Sequence, residues 1–322
     1  MAKREYSEWI YQVDNDNQYS IIPDVEIEKP KTFFKYYALN ENSVSALTEM
    51  YLYASHPNQL NDPFDCNKKI VQINEMETCK IVWEGLFKDL YEFYNGNEED
   101  ILKITNEAYM TKLYKKVGII SLTTSPNNRV MWSYYAKHNG FCIEIDINEL
   151  GFGYKGPFPI HYTDKIEPIT LDEYGGHLSM LIQTTTKTKE WERENEWRLW
   201  AYPPQGTDFV TYGERAEELN FPCDRERFCP YNILSLKSVY LGLDFYKNQI
   251  YQITKTEYEV VFNNTEQLNY KVTNFLSNPK LYTVNIFITD YDQRHPCKLC
   301  YKRVTIVKLS NLKFRIHTLQ EC

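Results

Sequence analysis

The chain contains no apolar run near the roughly 18 residues that a membrane helix needs, and it has no surplus of positive charge. Its 36 Lys and Arg stand against 44 Asp and Glu, a formal net charge of −8. No global basic field exists to hold nucleic acid through its phosphates, so general nucleic-acid binding is not expected. Phosphate-loop, dinucleotide-glycine and His-Glu-x-x-His patterns are all missing, and no Ser-His-Asp or Cys-His grouping has diagnostic spacing. The six histidines are scattered, and only His56 lies inside a motif-like stretch, so a histidine-based metal site is not expected. Internal repeats, low-complexity segments and a convincing linker are lacking too. The opening Met1-Ala2-Lys3-Arg4-Glu5-Tyr6 carries no apolar signal core. The expectation is a cytoplasmic protein with no membrane partner.

Eight cysteines are present, and in a chain of this kind they are expected as free thiols rather than a disulfide framework. Cys297 and Cys300 have the two-residue gap of a zinc knuckle, and Cys223 with Cys229 would complete four thiolates. The gap between Cys223 and Cys229 is loose for that purpose, and no metal is expected.

What the chain does have is aromatic mass, 27 Tyr and 16 Phe, enough for a sizeable core. Its organising stretch runs from Gly118 to Asp146. Ile119 to Thr123 is apolar and β-branched, a buried strand. Ser125 is placed to cap a helix whose first position is Pro126. Val130, Met131, Tyr134 and Tyr135 form its apolar face, and Gly140 supplies a left-handed stop. Phe141 to Ile147 alternates as a half-buried strand. Ser121, Thr123, Thr124 and Ser125 place hydroxyls beside a helix start, which suits either a phosphate or ribose or plain capping.

Around this unit the periodicity predicts a first core strand over Thr32 to Leu39 and a short helix capped by Asn40 or Asn42. A strand over Tyr51 to Ala54 follows. Two amphipathic helices come next, one carrying Val82, Leu86, Leu90 and Phe93, the other starting at Asn97. Strands are expected near Ile160 to Tyr162, Leu234 to Leu243, Thr283 to Tyr291 and Lys302 to Leu309, and a helix over Gln267 to Leu276. The fold class is α+β, a mixed or antiparallel central sheet with flanking helices. Residues 1–30 are expected as an N-terminal extension and 31–322 as a single domain.

Two polar knots stand out. As one strand, Glu192, Glu194, Glu196 and Arg198 would share a face, with Trp197, Leu199 and Ala201 opposite. Three carboxylates in a row repel, so one should have a raised pKa unless Arg198 or another cation neutralises it. The bland alternative is a solvated edge strand with a weak Glu196–Arg198 pair. The second knot is Asn61-Asp62-Pro63-Phe64-Asp65, whose Asn61 and Asp62 either bind a ligand or tie down their loop.

Four pieces resemble a bacterial family titled domain of unknown function 2971. They are Phe34-Lys35-Tyr36-Tyr37, Gln59 through Cys66, Met131-Trp132-Ser133-Tyr134-Tyr135-Ala136 ending in Gly140-Phe141-Cys142, and Lys189-Glu190-Trp191 with Glu194 through Leu199. Val239-Tyr240-Leu241-Gly242 looks like its closing strand, and the resemblance covers about residues 33–310. One departure is Tyr37, where that family often has an arginine. The order of aromatic first strand, hydroxyl-rich strand and late Glu-x-Glu also resembles the three-part signature of ADP-ribosyltransferases. That resemblance implies a sheet split into two halves, with NAD as substrate held by Lys35 or Tyr36 and by Ser121, Thr123 or Ser125. Asn61, Asp62 and Tyr134 are counted as further NAD contacts. Glu196, with Glu194 two residues earlier, is the implied catalytic acid, whose carboxylate would steady the oxocarbenium character of the ribose. Such proteins are commonly toxins or phage-defence effectors acting on a cellular target. Two rivals remain: a nucleotide or signal sensor that stacks a base in an aromatic cleft without turnover, and a nuclease holding Mg²⁺ on Asp62, Asp65 and the Glu192–Glu196 row.

Overall fold

The structure is a computed structural model that describes residues 2–16, 18–86, 97–115, 117–151, 153–202, 225–295 and 298–320. It is a mixed α+β chain with a large, mainly antiparallel sheet system and several helices. No helix among the described residues is long and apolar enough to cross a membrane. The backbone divides into two compact units: Met1–Lys29, Tyr53–Ser121 and Gly153–Cys229 in the first, Pro30–Leu52, Leu122–Phe152 and Pro230–Cys322 in the second.

The first unit is built on a helical layer and short sheets. Residues 1–29 belong to it, and strands Ala2–Tyr6, Trp9–Val13 and Tyr19–Ile22 form an antiparallel meander. Every second residue of Trp9–Val13 is buried, which is the period-two signature of a strand with one face on a core. That core joins Tyr6, Trp9 and Tyr11 to Trp83, Tyr109, Leu178, Leu181, Ile182 and Trp200. The helices supplying it are Met76–Leu86, Glu98–Tyr114 and Leu171–Thr185. Asn97 opens the second of these as expected, its Oδ1 accepting from the Asp100 N–H at 2.9 Å. Strand Glu196–Ala201 pairs antiparallel with Tyr154–Pro159 and neighbours Gly118–Thr123 on its other edge.

The second unit holds an eight-strand ladder. Its order is Ile250–Gln252, Glu257–Val261, Lys313–Gln320, Leu299–Ser310, Asn285–Tyr291, Leu236–Leu241, Phe141–Ile145, Phe33–Tyr37. All the pairs are antiparallel except Leu236–Leu241 with Asn285–Tyr291. Phe34 also pairs with Thr123, the last residue of the hydroxyl-rich strand. The strand from Phe141 is buried at Phe141, Cys142, Ile143 and Ile145. It lies between two other strands with both faces covered, so the half-buried alternation expected of it is corrected. Helix Glu41–Thr48 is capped by Asn40, with Val44 and Leu47 inward, and Leu268–Leu276 forms the expected late helix.

The central helix differs from the sequence expectation. It is a short element, Arg129–Tyr134, capped by the Asn128 side chain rather than Ser125. Trp132 is the residue it buries, while Tyr134 is 70% exposed. With so few residues the helix presents one indole inward, and its partners are Tyr36, Ala136, Cys142 and Tyr240. Gly140 is not a left-handed stop either; Lys137 and His138 take positive φ there. Gly140 is required because a Cβ would lie 1.9 Å from the Tyr37 carbonyl oxygen.

Candidate functional site: a buried ion-pair cluster

The chemistry of the first unit concentrates where its two polar knots meet. The Glu192–Arg198 stretch is not one strand. Lys189–Glu194 forms a 3-10 helix, Asn195 turns the chain in the left-handed region (φ 47°), and the strand begins at Glu196. Glu192 is therefore exposed on the short helix and takes no part in a carboxylate row. Glu194 and Glu196 are both buried, so the solvated-edge alternative is also overturned.

Arg198 is fully buried and organises the site. Its Nε donates to Glu196 Oε1 at 2.8 Å and its Nη2 to Glu196 Oε2 at 3.1 Å. The same guanidinium forks onto Asp65, Nη1 to Oδ1 at 2.9 Å and Nη2 to Oδ2 at 2.5 Å. Nη1 also donates to the Thr184 carbonyl at 2.7 Å. Planar donors at fixed angles suit such bidentate capture, which an ammonium cannot copy.

Lys187, on the short strand Thr186–Thr188, supplies the second cation. Its Nζ lies 2.8 Å from Glu194 Oε2, 3.0 Å from Glu196 Oε2 and 3.6 Å from Asp65 Oδ2. Its ammonium also sits 4.9 Å from the Trp191 ring centroid, a cation–π contact. The backbone N–H of Glu196 donates to the Tyr162 hydroxyl at 2.8 Å.

The electrostatics follow from this packing. Burial alone would raise the Glu196 carboxyl, but Arg198 and Lys187 outweigh it, and hydrogen bonds from Arg198 and Ser121 add to them. The Glu196 pKa is held down at about 2, below its ordinary 4.5. No raised carboxyl arises at Glu196, because Arg198 and a second cation, Lys187, neutralise it, the exception the sequence reading allowed. Burial would lower Lys187, yet Glu196, Asp65 and Glu194 raise it above 10.5. Burial likewise opposes the charge on Arg198, and Asp65 with Glu196 more than restores it. The Cys66 thiol is pushed well up by burial and by Asp65 beside it.

Of the residues singled out from sequence, the fold brings together Glu194, Glu196 and Ser121. The Asn61–Asp65 loop reaches the same place through Asp65. Asn61 is exposed, and Asp62 Oδ1 accepts from the Phe64 N–H at 2.9 Å, which ties the loop. Lys35, Tyr36, Thr123, Ser125 and Tyr134 belong to the second unit. There the Tyr36 hydroxyl donates to the Ser125 carbonyl at 3.0 Å and accepts from the Asn128 N–H at 3.2 Å. Burial raises that hydroxyl far above its usual range. Lys35 is half-buried, 5.7 Å from the Tyr37 ring centroid. Ser125 Oγ accepts from the Asn127 N–H at 3.0 Å, which is turn chemistry.

Sequence reasoning missed Lys187, a single lysine among threonines that nothing in its neighbourhood marks. It also missed that Asp65 and Arg198 are partners, because no local period links residues so far apart in the chain. Cys300 is in a disulfide, so it supplies no thiolate to a zinc, and Cys229 is a buried free thiol. Cys223 and Cys297 lie outside the described residues.

On the far face of the acid strand, Trp197 lines a hollow of about 350 Å³ with Tyr19, Tyr154, Phe158, Lys29 and Lys155. No family model, curated protein or solved structure matches this chain.

Proposed function

We propose that the chain is an ADP-ribosyltransferase-like enzyme that cleaves the nicotinamide–ribose bond of NAD, with Glu196 as the catalytic acid residue and Glu194 beside it. The observation that carries this reading is the Glu196 carboxylate itself: buried, held below its ordinary pKa by two cations, at the head of a strand and hydrogen-bonded by Ser121 of the neighbouring strand. In the reaction the C–N bond breaks, its electron pair leaves on neutral nicotinamide, and the ribose carbon becomes cationic. A carboxylate accepting from the ribose 2′-hydroxyl stabilises that charge, and an oxygen or nitrogen lone pair of the target, or of water, closes the new bond. Fixed charge in a low-dielectric site needs no reorganisation during the step, which is where such catalysis gains most. Lys187 and Arg198 hold the carboxylate in place and keep it charged.

The test is nicotinamide release from NAD by the full chain. Glu196→Gln is expected to lower it about a hundredfold or more, and Ser121→Ala, a milder change, to lower it measurably with the fold intact. Unchanged turnover in Glu196→Gln removes that residue from the mechanism.

A second reading rests on the Trp197 hollow. Its four rings and two lysines suit a base and a phosphate held without turnover. NAD or another nucleotide would then raise the melting temperature while no nicotinamide appears. A metal-dependent nuclease is disfavoured by the partners of its would-be ligands. Asp65 and Glu196 are paired with a guanidinium and an ammonium, and those two fixed positive charges repel a divalent cation at the same oxygens, as they do not repel a neutral hydroxyl.

A further inference from the structure

Among the described residues, the second unit carries a strand edge with nothing paired to it. Leu299–Ser310 is a long strand whose one side is matched by Lys313–Gln320 as far as Ser310. On its other side the ladder with Asn285–Tyr291 stops at the Ile286–Val304 pair. Thr305 to Ser310 run on beyond it, and among the described residues no backbone partner meets them there. In a strand, alternate residues aim both N–H and C=O to the same side, so part of this run points its hydrogen-bonding groups into the gap.

The gap is walled. Across from the strand stand the end of helix Leu268–Leu276, the turn Pro279–Leu281 and Tyr282, and together they enclose a groove of about 810 Å³. Its apolar surface is open: Tyr282 is 88% exposed, Leu319 58% and Val307 46%. Among the described residues the charged ones lining it are Arg303 and Lys308, and none is acidic. The Lys308 ammonium is held by Asn274 Oδ1 at 2.7 Å. In a chain of net charge −8, that is a local reversal of sign.

We infer that this groove receives an extended, acidic and apolar peptide segment of a partner protein, which adds as a strand to the Thr305–Ser310 edge. Backbone pairing supplies the affinity in this mode, and pockets for alternate side chains supply the choice of sequence. The bland alternative is an edge merely blunted by an inward lysine. A blunted edge needs neither an apolar trough beside it nor a bias in the sign of its charge.

The probe is a hexapeptide of alternating valine and glutamate, with a valine–lysine peptide as control, added to the full chain. The acidic peptide is expected to slow amide hydrogen exchange at Thr305 to Ser310 and to bind about tenfold or more tightly than the basic one. Arg303→Glu, an exposed substitution, should erase or invert that preference and leave nicotinamide release untouched. The idea is overturned if those amides exchange equally fast with and without the acidic peptide, or if Arg303→Glu leaves the preference as it was. It is overturned too if they are already protected in a free chain that sediments as a dimer, since a second copy would then be the occupant.

Discussion

Replacing Arg198 by methionine probes the cluster at its centre. The change removes two bonds to Asp65, two to Glu196 and one to the Thr184 carbonyl. The methionine fills most of the volume, so the loss is electrostatic rather than steric. Asp65 is then left buried with Lys187 at 3.6 Å, beyond a direct hydrogen bond. Breaking a buried pair on one side costs about 3–5 kcal/mol, which in a unit of this size lowers the melting temperature by about 10 °C. The acid limb moves as well. In the intact protein Glu196 titrates at about 2, below its ordinary 4.5. Because the folded value is the lower one, its contribution is present above about 4.5 and is lost as pH falls toward 2. The span corresponds to about 3 kcal/mol. In Arg198→Met the folded value rises, and acid unfolding begins at higher pH. Urea and thermal unfolding followed by indole fluorescence and circular dichroism at several pH values read both effects. Adding Asp65→Leu should recover much of the loss, since removing both partners of a buried pair is far cheaper than removing one. A cost under about 1 kcal/mol, the worth of an exposed pair, would refute the reasoning. So would a double variant as unstable as the two single losses added together.

Three further outcomes are expected. His161 stacks on Trp9 at 4.3 Å and has Nδ1 3.1 Å from the Tyr11 hydroxyl, and burial holds its pKa down at about 4 against 6.5. The unfolded chain therefore takes up the proton first, and stability should decline as pH falls from about 6.5 toward 4. His161→Phe should flatten that segment of a stability–pH curve, and an imidazole resonance titrating near 6.5 in the folded chain would contradict the assignment. Gly140→Ala forces a Cβ against the Tyr37 carbonyl. Its cost should exceed the ~1 kcal/mol ordinary for a point change, measured by denaturant titration, and a neutral result would mean the two segments separate freely. Trp197→Ala empties one wall of the Tyr19 hollow. On the base-stacking reading, nucleotide-dependent stabilisation should disappear with it, and persistence of that stabilisation would place the nucleotide elsewhere.

Much of the framework was legible from local signals. The Asn40 and Asn97 caps, the strand at Phe33–Tyr37 and the late helix at Leu268–Leu276 follow from side chains acting on their own backbone or from apolar period. The buried strand from Gly118 was equally plain. The sequence also marked Glu194, Glu196 and Asp65 as places where charge is crowded. It could not say that these belong together, because ion pairing is a through-space property with no period. The expected row from Glu192 failed at Asn195, where one left-handed residue ends a 3-10 turn and resets the register. Which acids are buried, which cation holds each of them, and which way the Glu196 carboxyl is displaced were decided only when the chain carried Lys187 and Arg198 to the same few ångströms as Asp65. Secondary structure is written by neighbours in the sequence; the charge state of a buried carboxylate is written by neighbours in space.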